Sequence, residues 1–377
     1  MFEILQKIVK KSLQNRHVTK SRRYYKKLFI INDIENRPCE NEKEWMEKWA
    51  VLGMKVDVLY YRLFSHYIGN NINIVPKDIC HEIIEPILNP LRYIKAYEDK
   101  NIYDRLFPKG LLPQTIFRKM NGFYYDKDYN RIQMIDDAQL IFLLDSAGFP
   151  RMIIKPTIDS SSGKGVSVIE KKNGAWFVLD KEFSKISVAF FDKNYGDNYI
   201  IQECLNQSKE MSLFCKTSVN TLRLSVYKSV KDDIGRLTGT IMRIGKDGSF
   251  VDNAHAGGCY VGITKDGNVC HEVLDQYGRK RTMFNGVDFS KDYQIPNYAA
   301  IVNFAESIVK YIPYHRLFAL DIMIDDNGLP RLVEFNLRYY SMWLFQFTVG
   351  SAFGKYTDEI IDYCKGRLSN IEYTISI

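Results

Sequence analysis

Two regimes of hydrophobic patterning divide the chain. Up to about residue 105, apolar residues recur at helical spacing, as in Glu42–Leu52 and Ile79–Leu88, with Pro86, Pro90 and the pair Asn70-Asn71 as interruptions. The pattern predicts a mostly helical N-terminal region over residues 1–110. From Leu112 onward short apolar runs take over. Gln114–Arg118, Met152–Pro156, Gly165–Glu170 and Tyr199–Glu203 read as strands, and a helix is expected from Asp136 to Ala147. After Asn206 the chain is rich in hairpins: Thr221–Tyr227 alternates like a half-buried strand, and Lys246-Asp247-Gly248, Lys265-Asp266-Gly267 and Asp326-Asn327-Gly328 are turn signals between further apolar runs. An antiparallel sheet is the simplest product, covered on one face by helices over Tyr298–Tyr311 and Phe353–Leu368. The predicted class is therefore α+β rather than a parallel doubly wound sheet, with a central domain at 111–205 and a C-terminal domain at 206–377.

Composition narrows the class of protein without naming it. A chain of 377 residues, 46% hydrophobic and 26% charged, supports two or three domains with sizeable cores. No run of about 18 apolar residues occurs, and Met1–Gln6 lacks a charged start followed by an apolar signal core, so the expectation is a soluble cytoplasmic protein. The seven cysteines include no C-x-x-C pair and no Cys/His cluster of zinc spacing, which predicts reduced thiols and no structural zinc. The net charge of +7 is uneven: Lys7, Lys10, Lys11, Arg16, Lys20, Arg22, Arg23, Lys26 and Lys27 follow one another without an acid. Beside Ile4, Leu5, Ile8, Val9 and Leu13, this segment, residues 1–27, reads either as a helix lying on an anionic membrane surface or as a solvated helix face packed on the rest of the protein. No nucleic-acid module follows the bases, and no nucleic-acid partner is expected.

The most informative segment runs from Leu317 to Asn336. It reads as a strand, a tight turn and a second strand, and symmetric pairing about the turn Asp326–Leu329 sets Asp321 opposite Glu334. Side chains alternate, so Asn336 joins Glu334 on one face while Phe335 points the other way. Two carboxylates opposed within apolar runs require a cation. An all-oxygen set of Asp321, Glu334 and the Asn336 amide suits Mg²⁺, and ion pairing with Arg or Lys from elsewhere is the alternative.

A second constellation is Lys155-Pro156-Thr157-Ile158-Asp159-Ser160-Ser161-Ser162-Gly163-Lys164-Gly165. A small glycine-containing loop after a strand lets backbone N–H groups approach phosphate oxygens, with Lys155 supplying charge. It is not a Walker A motif, since Gly165 follows Lys164 where Ser or Thr is required, and an ordinary hairpin turn is the competing reading. Ile200–Leu205 leaves a buried strand into a polar segment, where backbone groups and an apolar residue can hold an adenine edge, with Cys204 as packing rather than nucleophile. Arg223 lies inside an apolar strand, where its guanidinium needs a phosphate or a buried carboxylate.

The order of these motifs resembles the ATP-grasp superfamily. Val219-Asn220-Thr221-Leu222-Arg223, and Val251-Asp252-Asn253 before Gly257-Gly258, are most similar to the sugar-transfer-associated ATP-grasp family, over about residues 110–350. The resemblance implies two α+β domains clamping ATP, with Mg²⁺ as cofactor. It places Lys155 and the loop with Ser161, Ser162, Gly163, Lys164 and Gly165 on the phosphates. Gln202, Glu203, Cys204, Leu205, Glu210 and Asn220 fall in the nucleotide-binding set, and Asp321, Glu334 and Asn336 on the metal. Arg223 and Arg338 would contact phosphate or the acceptor carboxylate. An additional ATP lysine is best matched by Lys119, with Arg118 alternating to the opposite face. His255 is the histidine to consider as a base, a structural hydrogen-bonding role being the alternative. The implied reaction is carboxylate activation through an acyl phosphate followed by amide formation with an amine. The family's association with glycan building implies a sugar carboxylate, such as a uronic acid of a capsule or O-antigen, as acceptor. A kinase-like phosphotransferase and an ATP-binding protein without ligase activity are the rival readings.

Overall fold

The computed structural model describes residues 19–133, 136–158, 165–179, 184–250, 252–339 and 341–371. Among them, the strands form two large sheets in which every neighbouring pair is antiparallel. The central sheet holds β1 (Thr115–Met120), β2 (Phe123–Asp126), β3 (Arg131–Ile132), β4 (Arg151–Pro156), β5 (Ser167–Lys172), β6 (Ala175–Val178), β7 (Ser184–Lys185) and β8 (Tyr199–Glu203) in the order β3-β2-β1-β8-β4-β5-β6-β7. Helices Asp137–Ser146 and Val188–Tyr195 close one of its faces over Phe117, Leu140, Ile154, Trp176, Phe191 and Ile201. The expected acidic start of the first helix has a structural use, since the Asp136 carboxylate accepts the Gln139 N–H at 2.9 Å.

The second sheet holds β9 (Thr221–Lys228), β10 (Gly235–Ile244), β11 (Cys259–Ile263), β12 (Val269–Leu274) and β13 (Lys280–Arg281); a small hairpin of β14 (Met283–Phe284) and β15 (Val287–Asp288) follows. It is completed by β16 (Leu317–Ile324) and β17 (Pro330–Asn336), in the order β13-β12-β11-β10-β9-β16-β17. Helix Tyr298–Ile308 covers one face through Ile301, Ala305 and Ile308, against Leu224, Val226 and Leu320. The other face carries Tyr227, Ile241, Tyr260 and Leu317.

That second face is where the N-terminal region belongs. Helices Glu42–Ala50 and Val58–Ile68 send Trp45, Trp49, Tyr60, Tyr61 and Phe64 into one core with Tyr227, Ile241, Tyr260 and Phe345, so the helical region is built onto the C-terminal sheet. The helix expected at Ile79–Leu88 forms as a continuous run of Lys77–Ile79, a π-turn at Cys80–Ile84, and Glu85–Leu88, with Pro86 directly after the π-turn. Directly after it the buried Asn89 amide donates to the carbonyls of Leu317 and Leu337, both at 2.7 Å, and accepts from the N–H of Arg316 and Leu317 at 2.9 and 3.0 Å. Every hydrogen-bonding position of that side chain serves to fasten β16 to the strand leaving β17.

In the basic N-terminal segment, residues 1–18 lie outside the described set. Residues 19–31 are helical, with Tyr25, Leu28 and Phe29 buried and Lys20, Arg22, Arg23, Lys26 and Lys27 outward. No helix among the described residues is long and apolar enough to cross a membrane.

Candidate active site between the two sheets

The site is assembled along single rungs of the sheets. In the second sheet Arg223 on β9, Asp321 on β16 and Glu334 on β17 are in direct register, so the three side chains stand in a row on one face. The pairing of Asp321 with Glu334 is the one expected from the sequence. Nearer the turn the hairpin departs from symmetry: Ile322 pairs with Leu332, leaving Val333 as a bulge residue.

Burial alone pushes the Asp321 carboxyl up, but Arg223 and then Arg243 hold it below the usual carboxylate range. Arg223 Nε and Nη2 each donate to it at 2.7 Å, a bidentate fork, and Arg243 Nη1 donates at 3.1 Å. Arg243 reaches on to Asp252, with Nη2 3.0 Å from Oδ1, and Asp252 accepts from both the N–H and the hydroxyl of Thr221. Burial raises the Asp252 carboxyl, against the pull of Arg243. Glu334 Oε1 lies 3.0 Å from Lys100 Nζ. The two opposed carboxylates are thus balanced by three cations, the alternative weighed for this hairpin.

The donor chemistry still fits Mg²⁺. Asp321, Glu334 and Asn336 share one face, and the Asn336 amide donates to the Ala319 carbonyl at 3.3 Å, which fixes the side chain through its nitrogen. Glu334 and Asn336 are partly open to solvent, whereas Asp321 is buried with both oxygens engaged. On this chain a metal would therefore be held first by Glu334 and Asn336, with Asp321 behind them. Among the described residues no group of three or more His, Cys, Asp or Glu gathers to hold a metal.

The central sheet supplies the opposite wall. Arg118, Ile200 and Lys155 pair directly across β1, β8 and β4 and so share a face. Lys119 pairs with Tyr199 and turns to the other face, where Nζ lies 2.6 Å from Asp192 and 3.6 Å from Asp197. The register puts Arg118, and not Lys119, on the face that carries Lys155. Arg118 is 0% exposed, bound to Asp104 and the Asn101 carbonyl, and stacked 4.0 Å from the Tyr129 ring centre. Burial lowers the Lys155 ammonium to about 8, helped by Lys100 and opposed by Glu334.

Of the glycine loop, Ser161, Ser162, Gly163 and Lys164 lie outside the described residues. Gly165 closes it with φ +77°, and a Cβ there would fall 2.8 Å from Pro156 Cγ, so the return past Lys155 admits only glycine. At the end of β8 the Glu203 carboxylate accepts the Gln114 N–H at 2.7 Å, and Gln202 donates to the Pro113 carbonyl at 3.3 Å. Burial raises the Cys204 thiol, consistent with packing rather than nucleophilic use, and Leu205 beside it is half-buried. Asn220 is fully buried, its amide on the Met211 and Cys215 carbonyls at 2.7 and 3.2 Å, which makes it a brace for the segment before β9. Glu210 is exposed on the short helix Lys209–Ser212. Arg338, two residues beyond Asn336, lies with its guanidinium 5.0 Å from the Tyr339 ring centre. His255 is exposed and bonded to Gln276 at 2.5 Å; the contacts tie its neighbour Asp252, not the imidazole, to the arginine cluster.

Two members of the site carry no sequence motif for their roles. Lys100 sits in a turn of 3-10 helix, Lys100–Ile102, capped by the Asp99 carboxylate, and Arg243 lies in an ordinary alternating strand.

Two antiparallel sheets that present lysine and arginine on one side and paired carboxylates on the other are the architecture of an ATP-grasp clamp. The family model described as sugar-transfer associated ATP-grasp matches residues 81–360, and the chain belongs to that family. No protein of curated function matches it. Among solved structures it is similar to the D-cycloserine synthetase DcsG, at 13% identity and a TM-score of 0.41 over 74% of this chain and 73% of that one. It is also similar to the ATP-grasp ligase PsnB complexed with a minimal precursor (12%, 0.37, 73% and 63%) and to biotin carboxylase from Campylobacter jejuni (11%, 0.39, 71% and 46%). The chain spans less than two thirds of the length of these last two.

Proposed function

We propose that the protein is an ATP- and magnesium-dependent ligase that activates a carboxylate as an acyl phosphate and transfers it to an amine, the carboxylate being that of a sugar acid in cell-surface polysaccharide synthesis. The observation that carries this reading is the rung Arg223–Asp321–Glu334, facing Lys155.

In the first step a carboxylate oxygen attacks the γ-phosphorus, the bond to the β,γ-bridging oxygen breaks, and ADP leaves with the electron pair. In the second the amine nitrogen attacks the acyl carbon, the C–O bond to phosphate breaks, and the amine gives up a proton. Bound magnesium would supply charge neutralisation at the phosphates. The chain's own contribution is placement: Lys155 draws on the polyphosphate, and Arg223 and Arg243, held rigid by Asp321 and Asp252, present fixed positive charge beside the transferred group. No nucleophilic side chain is required.

The reading is tested by a screen of ATP-dependent phosphate release across uronic acids crossed with amino acids, with hydroxylamine as trap. Hydroxamate formation supports acyl phosphate chemistry. Phosphorylated product without hydroxamate would establish the phosphotransferase instead. The outward bases of residues 19–31, with Ile30 81% exposed among them, support peripheral contact with an anionic membrane face where lipid-carried glycans are built. Co-sedimentation with anionic liposomes, compared with a chain lacking residues 1–27, tests this: equal binding by the two sinks it.

A further inference from the structure

The N-terminal region packs on the face of the second sheet that carries the site. Tyr227, Leu317 and Ala319, which share its core, lie on the same face as Arg223, Asp321, Glu334 and Asn336, so the covered part of that face ends where the site begins. The chain leaving β17 runs along this border. There Tyr339 is left-handed, with φ +50°, a conformation that a bulky residue rarely adopts. It is held from the N-terminal region: the Tyr339 N–H donates at 3.1 Å to the buried Glu85, and the Asn89 amide holds the Leu337 carbonyl at 2.7 Å. As a result Tyr339 stands 63% exposed, three residues beyond Asn336. The Arg338 guanidinium is 5.0 Å from its ring centre, and the His81 ring lies nearly perpendicular to it at 5.5 Å.

We propose that Tyr339 is the platform for the pyranose ring of the acceptor, and that Glu85 is a positioning residue that fixes the turn presenting it. The proposal rests on the ligase reading and adds to it the subsite that recognises the sugar. A pyranose has a face of C–H groups that loses little hydration when it lies on an aromatic ring, and an acidic sugar needs a cation within reach of that ring. Arg338 supplies the cation, next to the tyrosine and two residues past Asn336. A left-handed tyrosine with most of its surface in water adds nothing to the core. Strain of this kind persists where surrounding contacts impose it, and here Glu85 and Asn89 do so from an element that the nucleotide clamp does not use.

The test is the steady-state rate of hydroxamate formation by the full chain with ATP, magnesium, hydroxylamine and either D-glucuronate or D-galacturonate. Tyr339→Ala is expected to raise the KM for the sugar acid about tenfold or more and to leave the KM for ATP within about twofold, while Tyr339→Phe stays within about threefold of the unaltered chain in both. Tyr339→Gly relieves the left-handed turn, so it should melt at or above the temperature of the unaltered chain and still show the raised KM, a combination that a purely structural role does not produce. Glu85→Ala is expected to raise the same KM with kcat within about threefold, and Glu85→Gln, whose amide oxygen can still accept the Tyr339 N–H, to restore it. If Glu85→Ala does not fold, the Tyr339 variants decide. An unchanged sugar-acid KM in Tyr339→Ala and Tyr339→Gly, or an equal rise for the sugar acid and for ATP, overturns the proposal. Absence of hydroxamate from the unaltered chain with both sugar acids would instead remove the sugar-acid reading on which it rests.

Discussion

Lys155 offers a direct probe of the site because its ammonium is held at about 8 against an ordinary value of 10.5, by burial first and by Lys100 second. A polyphosphate beside it favours the charged form, so nucleotide binding should take up a proton wherever the free protein has lost one. With a free value near 8 and a bound value above 10, uptake should be about 0.1 proton at pH 7, about 0.5 at pH 8 and about 0.9 at pH 9. Above pH 7.5 the nucleotide's terminal phosphate is already ionised and does not add to the count. Calorimetric titrations of ADP in buffers of different ionisation enthalpy measure this number directly. Lys155→Arg, always charged, should bind ADP with no uptake. A wild-type value near zero at pH 8 to 9 would refute the placement of Lys155 on the phosphates. The same shift has a consequence for the free protein. The folded value is depressed, so the unfolded chain binds the proton more tightly. Stability should therefore rise between about pH 8 and 10.5, by at most roughly 3 kcal/mol.

Asp321→Asn leaves Arg223 buried without its carboxylate and should cost about 3–5 kcal/mol in urea unfolding, whereas the double change Asp321→Leu with Arg223→Met should cost clearly less than the single one; equal or additive losses would contradict the pairing. Since Asp321 is held below its ordinary range, its contribution should be complete at neutral pH and fade as the pH falls below the usual carboxylate value. Arg118→Met strips a buried guanidinium from Asp104 and should both lower thermal stability and weaken nucleotide binding, while Lys119→Met leaves nucleotide binding within about twofold; the reverse ranking in affinity would refute a nucleotide-side role for Arg118. Asn89→Ala strips four hydrogen bonds from buried backbone and should destabilise by about 2–4 kcal/mol, read as a shift in the urea midpoint with unchanged slope.

The Asp321–Glu334 hairpin was legible because period-two alternation and an Asp-Asn-Gly turn act locally, and local signals survive folding. The bulge at Val333 was not, since nothing about a valine marks an extra residue in a ladder. Alternation shows that Arg118 and Lys119 face opposite ways. Which one faces Lys155 depends on the pairing of β1 with β8, itself shifted by an irregularity between Thr115 and Phe117. Lys100 was illegible for a stronger reason: its partner is 234 positions away, on a strand of another sheet, and its own neighbourhood reads as an ordinary capped turn. The arginines of β9 and β10 occupy an intermediate position. Arg223 stood out as a charge in an apolar strand, but that it meets a carboxylate flanked by a second arginine is a property of three strands brought side by side.

The core shared by the N-terminal helices and the C-terminal sheet bears on how the protein is made. Trp45, Trp49, Tyr60, Tyr61 and Phe64 leave the ribosome well before β9, β10 and Phe345, the surfaces that bury them, have been synthesised. A chain growing at about 5–20 residues per second carries that aromatic cluster uncovered for many seconds, so this half of the fold closes only near the end of synthesis. During that interval the nascent protein is a natural client for chaperones. A truncation that removes the helix Thr357–Lys365, with Ile360 and Cys364, should prolong the exposure into aggregation.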